Sequence, residues 1–96
     1  MNSYLVERYL PGLAEADLRA ALGRVKAACA ELSAAGTPIR YGGSTFLALE
    51  ETCFCRFDTQ RAETAAQANE RARFPFARIT EAIVIEPSGV PASQDR

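Results

Sequence analysis

The alternation of apolar and polar residues predicts six elements, and the most informative lie mid-chain. Thr45 to Phe57 reads as a tight hairpin, with Phe46, Leu47, Ala48 and Leu49 in one arm and Glu50 and Glu51 at the turn. In the second arm, Thr52-Cys53-Phe54-Cys55-Arg56-Phe57, period two puts Cys53, Cys55 and Phe57 on one face and Thr52, Phe54 and Arg56 on the other. Both faces carry apolar or thiol groups. A sheet with helices on one side only then has a second face that needs a partner subunit, a ligand or both.

Upstream, Tyr4 to Tyr9 reads as a strand that stops at Pro11-Gly12, with Tyr4, Val6 and Arg8 on one face and Leu5, Glu7 and Tyr9 on the other. A charge on each face makes Glu7 and Arg8 either polar-site residues or strand-end residues reaching solvent. A helix over about 14–35 follows, where Leu18, Leu22, Val25, Cys29 and Leu32 form a continuous apolar stripe. Cys29 falls in that stripe and reads as a small buried hydrophobe. Gly36 and Pro38 end the helix. The second strand, Ile39 to Leu49, is interrupted by Gly42-Gly43, which marks a bulge or a close approach by a ligand; Arg40, Tyr41, Ser44 and Thr45 flank it.

Downstream, Asp58 and Thr59 are suitable N-caps for an alanine-rich helix over about 60–73 that stops before Phe74-Pro75. Ile79 to Glu86 reads as the last strand, and Pro87 to Arg96 as a flexible tail beyond a single domain of residues 1–86. The order strand, helix, strand, strand, helix, strand predicts an α+β, ferredoxin-like βαββαβ fold: a four-stranded antiparallel sheet with two helices on one face. The open face predicts a homodimer of the dimeric α/β-barrel type, with C2 symmetry and room for a cavity between the sheets.

Composition narrows the function. The 96 residues include 11 basic and 12 acidic side chains, for a net charge of -1 with no basic stripe, which argues against a nucleic-acid partner. No apolar run approaches a membrane span or a signal-peptide core, so the expected location is cytoplasmic. Three scattered cysteines suit a reducing compartment and supply no iron–sulfur ligand set. The absence of histidine removes the usual hydrolase triads.

The remaining chemistry gathers in a few residues. Cys53 and Cys55 are poorly placed for a disulfide, but two soft ligands on one face could share a metal ion with Glu7 or a second subunit. Glu7 or Glu81 as base, Tyr4, Tyr9 or Tyr41 as acid, and Arg40 or Arg56 as anion stabiliser would serve an enzyme. Arg56 with Glu7 or Glu81 equally makes a structural ion pair between strands. The candidate pocket is therefore Glu7, Arg40, Tyr41, Ser44, Cys53, Cys55 and Arg56.

Several motifs in order, Tyr4-Leu5-Val6-Glu7-Arg8, Leu10-Pro11-Gly12, Ser44, Phe54-Cys55-Arg56-Phe57 and Phe74-Pro75-Phe76-Ala77-Arg78-Ile79, resemble the small bacterial "nickel-binding protein" domain family. The resemblance covers about Tyr4 to Ile85 and implies a dimeric ferredoxin-like fold with metal binding, nickel or zinc, and Glu7, Ser44 and Cys55 as site residues. Members of that family often carry a histidine in the second helix, where this chain has Ala68 and Asn69, and a glycine where it has Arg73.

Three functions follow: a dimeric binding protein for a metal ion or small molecule; a small cofactor-independent cyclase, isomerase or oxygenase acting on a hydrophobic substrate between the sheets; or a structural interaction module. Convergence of Tyr41, Arg40, Arg56 and Glu7 on one pocket would mark the enzyme.

Overall fold

The computed structural model describes residues 1–88. Its elements are β1 (Asn2–Tyr9), α1 (Glu15–Ala34), β2 (Ile39–Leu47), β3 (Thr52–Thr59), α2 (Ala62–Arg71) and β4 (Arg78–Ala82). The strands form one sheet in the order β2-β3-β1-β4, every neighbour antiparallel. Both helices pack on the same face, giving the predicted ferredoxin-like architecture.

On α1, Leu18, Ala21, Val25, Ala28, Cys29 and Leu32 are buried against the sheet. Gly36, at φ 97°, ends the helix as expected: the amides of Gly36 and Thr37 donate back to the carbonyls of Ser33 and Leu32 at 3.1 and 2.9 Å. The shorter α2 buries Thr64, Ala65, Ala68 and Asn69, and its alanines let the backbone sit close to the sheet. It closes with the same pair of bonds, from Arg73 to Glu70 and from Phe74 to Asn69, both 3.0 Å, so Arg73 holds the left-handed position at φ 55°.

Several boundaries differ from the sequence reading. Asp58 and Thr59 are the last residues of β3, not caps: they pair with Ser3 and Asn2 on one side and with Arg40 and Ile39 on the other. Both are buried, and α2 starts at Ala62 with no side-chain cap. Ladder pairing on both sides satisfies these backbones better than an exposed cap would. β2 stops at Leu47, and Ala48 to Glu51 form the turn, which leaves Leu49 fully in solvent. β4 stops at Ala82, beyond which Ile83 and Ile85 are exposed. Of the expected tail, residues 89–96 lie outside the described region.

The turn is tied to the first loop. Glu51, at φ 52°, accepts the Leu10 amide on its carbonyl at 2.7 Å and the Gly12 amide on its carboxylate at 2.8 Å.

The registers fix two faces. Tyr4, Val6, Arg8, Tyr41, Ser44, Phe46, Cys53, Cys55, Phe57 and Ile79 point toward the helices. Ser3, Leu5, Glu7, Tyr9, Arg40, Thr45, Leu47, Thr52, Phe54, Arg56, Asp58 and Arg78 point to the open face. No described helix is long and apolar enough to cross a membrane.

Candidate functional site

Period two carries Arg8 inward with Tyr4 and Val6, so a guanidinium is buried between sheet and helix at 1% exposure. Its Nη2 donates to the Asn69 side-chain oxygen on α2, and its carbon lies 3.9 Å from the centre of the Phe74 ring. Asn69 Nδ2 donates to the Ala65 carbonyl at 2.8 Å, which orients the amide oxygen toward Arg8. Among the described residues nothing bonds Arg8 Nε or Nη1. Burial lowers the Arg8 pKa, and the charges of Cys55, Cys53 and Tyr41 work against that fall.

The two thiols lie beside this cation. Cys53 is directly opposite Arg8 and Cys55 opposite Val6; both are fully buried, with Sγ atoms 3.8 Å apart. The Ser44 hydroxyl donates to Cys55 Sγ at 2.9 Å and also bonds the Tyr41 hydroxyl. The Cys55 thiol is held below the ordinary thiol range by its hydrogen bond with Cys53, then by Ser44 and the Arg8 charge, against the opposing effect of burial. The Cys53 thiol is pushed up by that same bond and by burial. Burial likewise pushes the distant Cys29 thiol up to about 11. Of the pair, Cys55 loses its proton first.

Ser44 reaches Cys55 because β2 bulges between Tyr41 and Ser44, the one shift in its register with β3. Gly43 takes φ 103°, and a side chain at Gly42 would meet Arg56 at 3.3 Å. The glycine pair is thus a bulge, and it serves the site. A cleft of about 390 Å³ opens alongside, between α1 and β2, lined by Leu18, Leu22, Ser44 and Phe46.

Of the residues predicted for the pocket, Tyr41, Ser44, Cys53 and Cys55 come together. Glu7, Arg40 and Arg56 do not; they lie on the open face. Glu7 pairs with Arg78 at 2.8 Å. Arg56 pairs with Asp58 at 3.0 Å rather than with Glu7 or Glu81, since Asp58 is its same-face neighbour two residues on. Arg40 also pairs with Asp58, which accepts the Ser3 hydroxyl at 2.7 Å. Glu7 therefore cannot join the two thiols, and the four residues that would mark an enzyme pocket are divided by the sheet. Arg8 and Asn69, which complete the cluster, were not among the predicted pocket residues; a charge alternating with Tyr4 and Val6 was the available signal.

The donors present test the nickel or zinc expectation. Two M–S bonds of about 2.3 Å at tetrahedral to trigonal angles span roughly 3.8 to 4.0 Å, so the sulfur separation suits two thiolates on one ion. Among the described residues no group of three His, Cys, Asp or Glu side chains gathers, and the chain has no histidine. One chain thus brings two sulfur atoms together and does not assemble a nitrogen- and oxygen-rich nickel site among the described residues.

Fold and cluster together define a small α+β protein with an open sheet and a thiol–guanidinium pocket beneath its helices. The chain belongs to the family described as nickel responsive protein SCO4226-like, whose model matches residues 4–82. The crystal structure of SCO4226 from Streptomyces coelicolor A3(2) is similar in fold, with a TM-score of 0.67 at 16% identity over 83% of this chain and 94% of that one. No curated protein matches by sequence.

Proposed function

We propose that this chain is a small metal-ion-binding protein that acts as a homodimer and holds its ion through the Cys53 and Cys55 thiolates. The observation that carries this reading is the 3.8 Å separation of two buried sulfurs on one strand face, the bite of a two-thiolate chelate. Membership of a nickel-responsive family supports a metal role, and the low first ionisation at Cys55 supports a ready ligand. Ser44 and Tyr41, at the bulge, stand where an ion would enter from the surface.

Pairing through the open sheet face is supported by its apolar side chains. Leu5, Tyr9 and Leu47 are 36%, 64% and 40% exposed on a sheet with no helix over it.

Native mass spectrometry of untagged protein tests both parts. A dimer carrying one ion per chain, lost in Cys53→Ser and Cys55→Ser but kept in Cys29→Ala, is the expected result. A bare chain that takes up no thiophilic ion overturns the metal reading, and a monomer overturns the dimer.

A further inference from the structure

Arg8 is a permanent cation inside the thiol pocket. It is 1% exposed, its Nε and Nη1 lack partners among the described residues, and its remaining contacts, the Asn69 amide and the Phe74 ring, are neutral. Among the described residues no ion pair joins Arg8 to a carboxylate: its neighbour Glu7 lies on the opposite face, bound to Arg78.

Net charge in a buried site decides which ion it can hold, because an uncompensated charge loses its hydration and gains nothing in exchange. Two metal-bound thiolates carry two negative charges, and Arg8 cancels one. A monovalent ion brings the pocket to neutrality. A divalent ion leaves one positive charge enclosed between sheet and helices. On entry of a monovalent ion, any proton still held by the two sulfurs would leave to solvent and both sulfurs would bond the metal, with no change of oxidation state.

We infer that Arg8 biases the Cys53–Cys55 pair toward a monovalent thiophilic ion, of the copper(I) or silver(I) class, and against divalent nickel and zinc. The inference rests on the metal-binding reading of these thiols and adds the charge of the ion. It also explains how a chain without histidine can sit in a nickel-responsive family and bind a different metal.

The experiment is a set of anaerobic competition titrations, with a chromophoric chelator for copper(I) and another for zinc and nickel, on the wild type, Arg8→Gln, Arg8→Met and Arg8→Lys. Thiols favour copper(I) in any setting, so the reading is the change in the copper-to-zinc affinity ratio on substitution. Both neutral variants should lower that ratio by roughly a hundredfold, while Arg8→Lys holds it near the wild-type value. Circular dichroism identifies any variant that fails to fold, and either neutral variant alone suffices. A ratio unmoved in a folded neutral variant, or nickel or zinc bound more tightly than copper(I) by the wild type, overturns the inference and leaves the metal reading standing. Retention of neither class of ion by the wild type removes the metal reading instead.

Discussion

Arg8 and Asn69 meet across the boundary between sheet and helix: the guanidinium donates to the Asn69 amide oxygen, and the amide nitrogen donates on to the Ala65 carbonyl. Among the described residues Asn69 is thus the only side chain that accepts a hydrogen bond from the buried cation. Replacing it with alanine leaves a third edge of the guanidinium bare. Asn69→Ala should cost about 2 to 3 kcal/mol in urea unfolding, more than Ala68→Gly one position away. Equal losses would show that Arg8 does not depend on the amide.

Asp58 makes stability depend on acid pH. Burial pushes its carboxyl up, but hydrogen bonds from Ser3, Arg56 and Arg40 outweigh that effect and hold it below the ordinary carboxylate range. A folded-state value below the unfolded one gives stability that is complete above the unfolded value, about 4, and lost as pH falls through the folded value. The melting temperature of Asp58→Asn should therefore fall less steeply with acid over that window. At neutral pH the variant should be less stable by about 2 kcal/mol, because Arg40 and Arg56 lose a charged acceptor. Parallel acid limbs in the two proteins would remove Asp58 from the account.

The open face can be tested with one charge. Phe54 is half-buried on it, between Glu7 and Thr45 in the register. Phe54→Asp should convert a dimer to monomers in sedimentation velocity, and Leu47→Asp should weaken it. A dimer unaffected by both must use another surface.

Arg73 occupies a left-handed backbone position that costs an L-residue about 1 kcal/mol and glycine almost nothing. Arg73→Gly should stabilise the protein by up to about 1 kcal/mol, with the Arg8–Phe74 contact retained. A loss in chemical denaturation would mean that the arginine side chain contributes more than its backbone costs.

The three cysteines should separate by ionisation. Thiolate absorbance of the native apo-protein near neutral pH should vanish in Cys55→Ser and persist in Cys29→Ala. Replacing Ser44 with alanine should raise the midpoint, because Ser44 donates to the sulfur.

Much of this fold is legible in the residues. Alternation assigns Cys53, Cys55 and Phe57 to one face, and the α1 stripe and the Gly36 stop follow from spacing and backbone preference. What escapes the sequence is mostly long-range. Asp58 and Thr59 have the composition of caps, and only their partners on β1 and β2 make them strand. Glu7, Arg40 and Arg56 look like companions of the thiols until the sheet places them on its other side. Arg8 and Asn69 are 61 residues apart, a contact no local pattern specifies. The bulge is visible as Gly42-Gly43, but its effect, bringing Tyr41 and Ser44 to one face despite a separation of three, needs the neighbouring strand.

Glu51 changes where the chain can be divided. The repeated strand-helix-strand order invites a cut at the mid-chain turn, into two halves or as the opening of a circular permutant. Yet Glu51 holds the amides of Leu10 and Gly12, so the turn of the second half fastens the loop of the first. Opening the chain between Leu49 and Glu51 would free that clasp along with the hairpin, and the entry to α1 would lose its anchor although no residue had been removed. New termini belong elsewhere, and the two halves are better understood as one interlocked unit than as a pair of repeats.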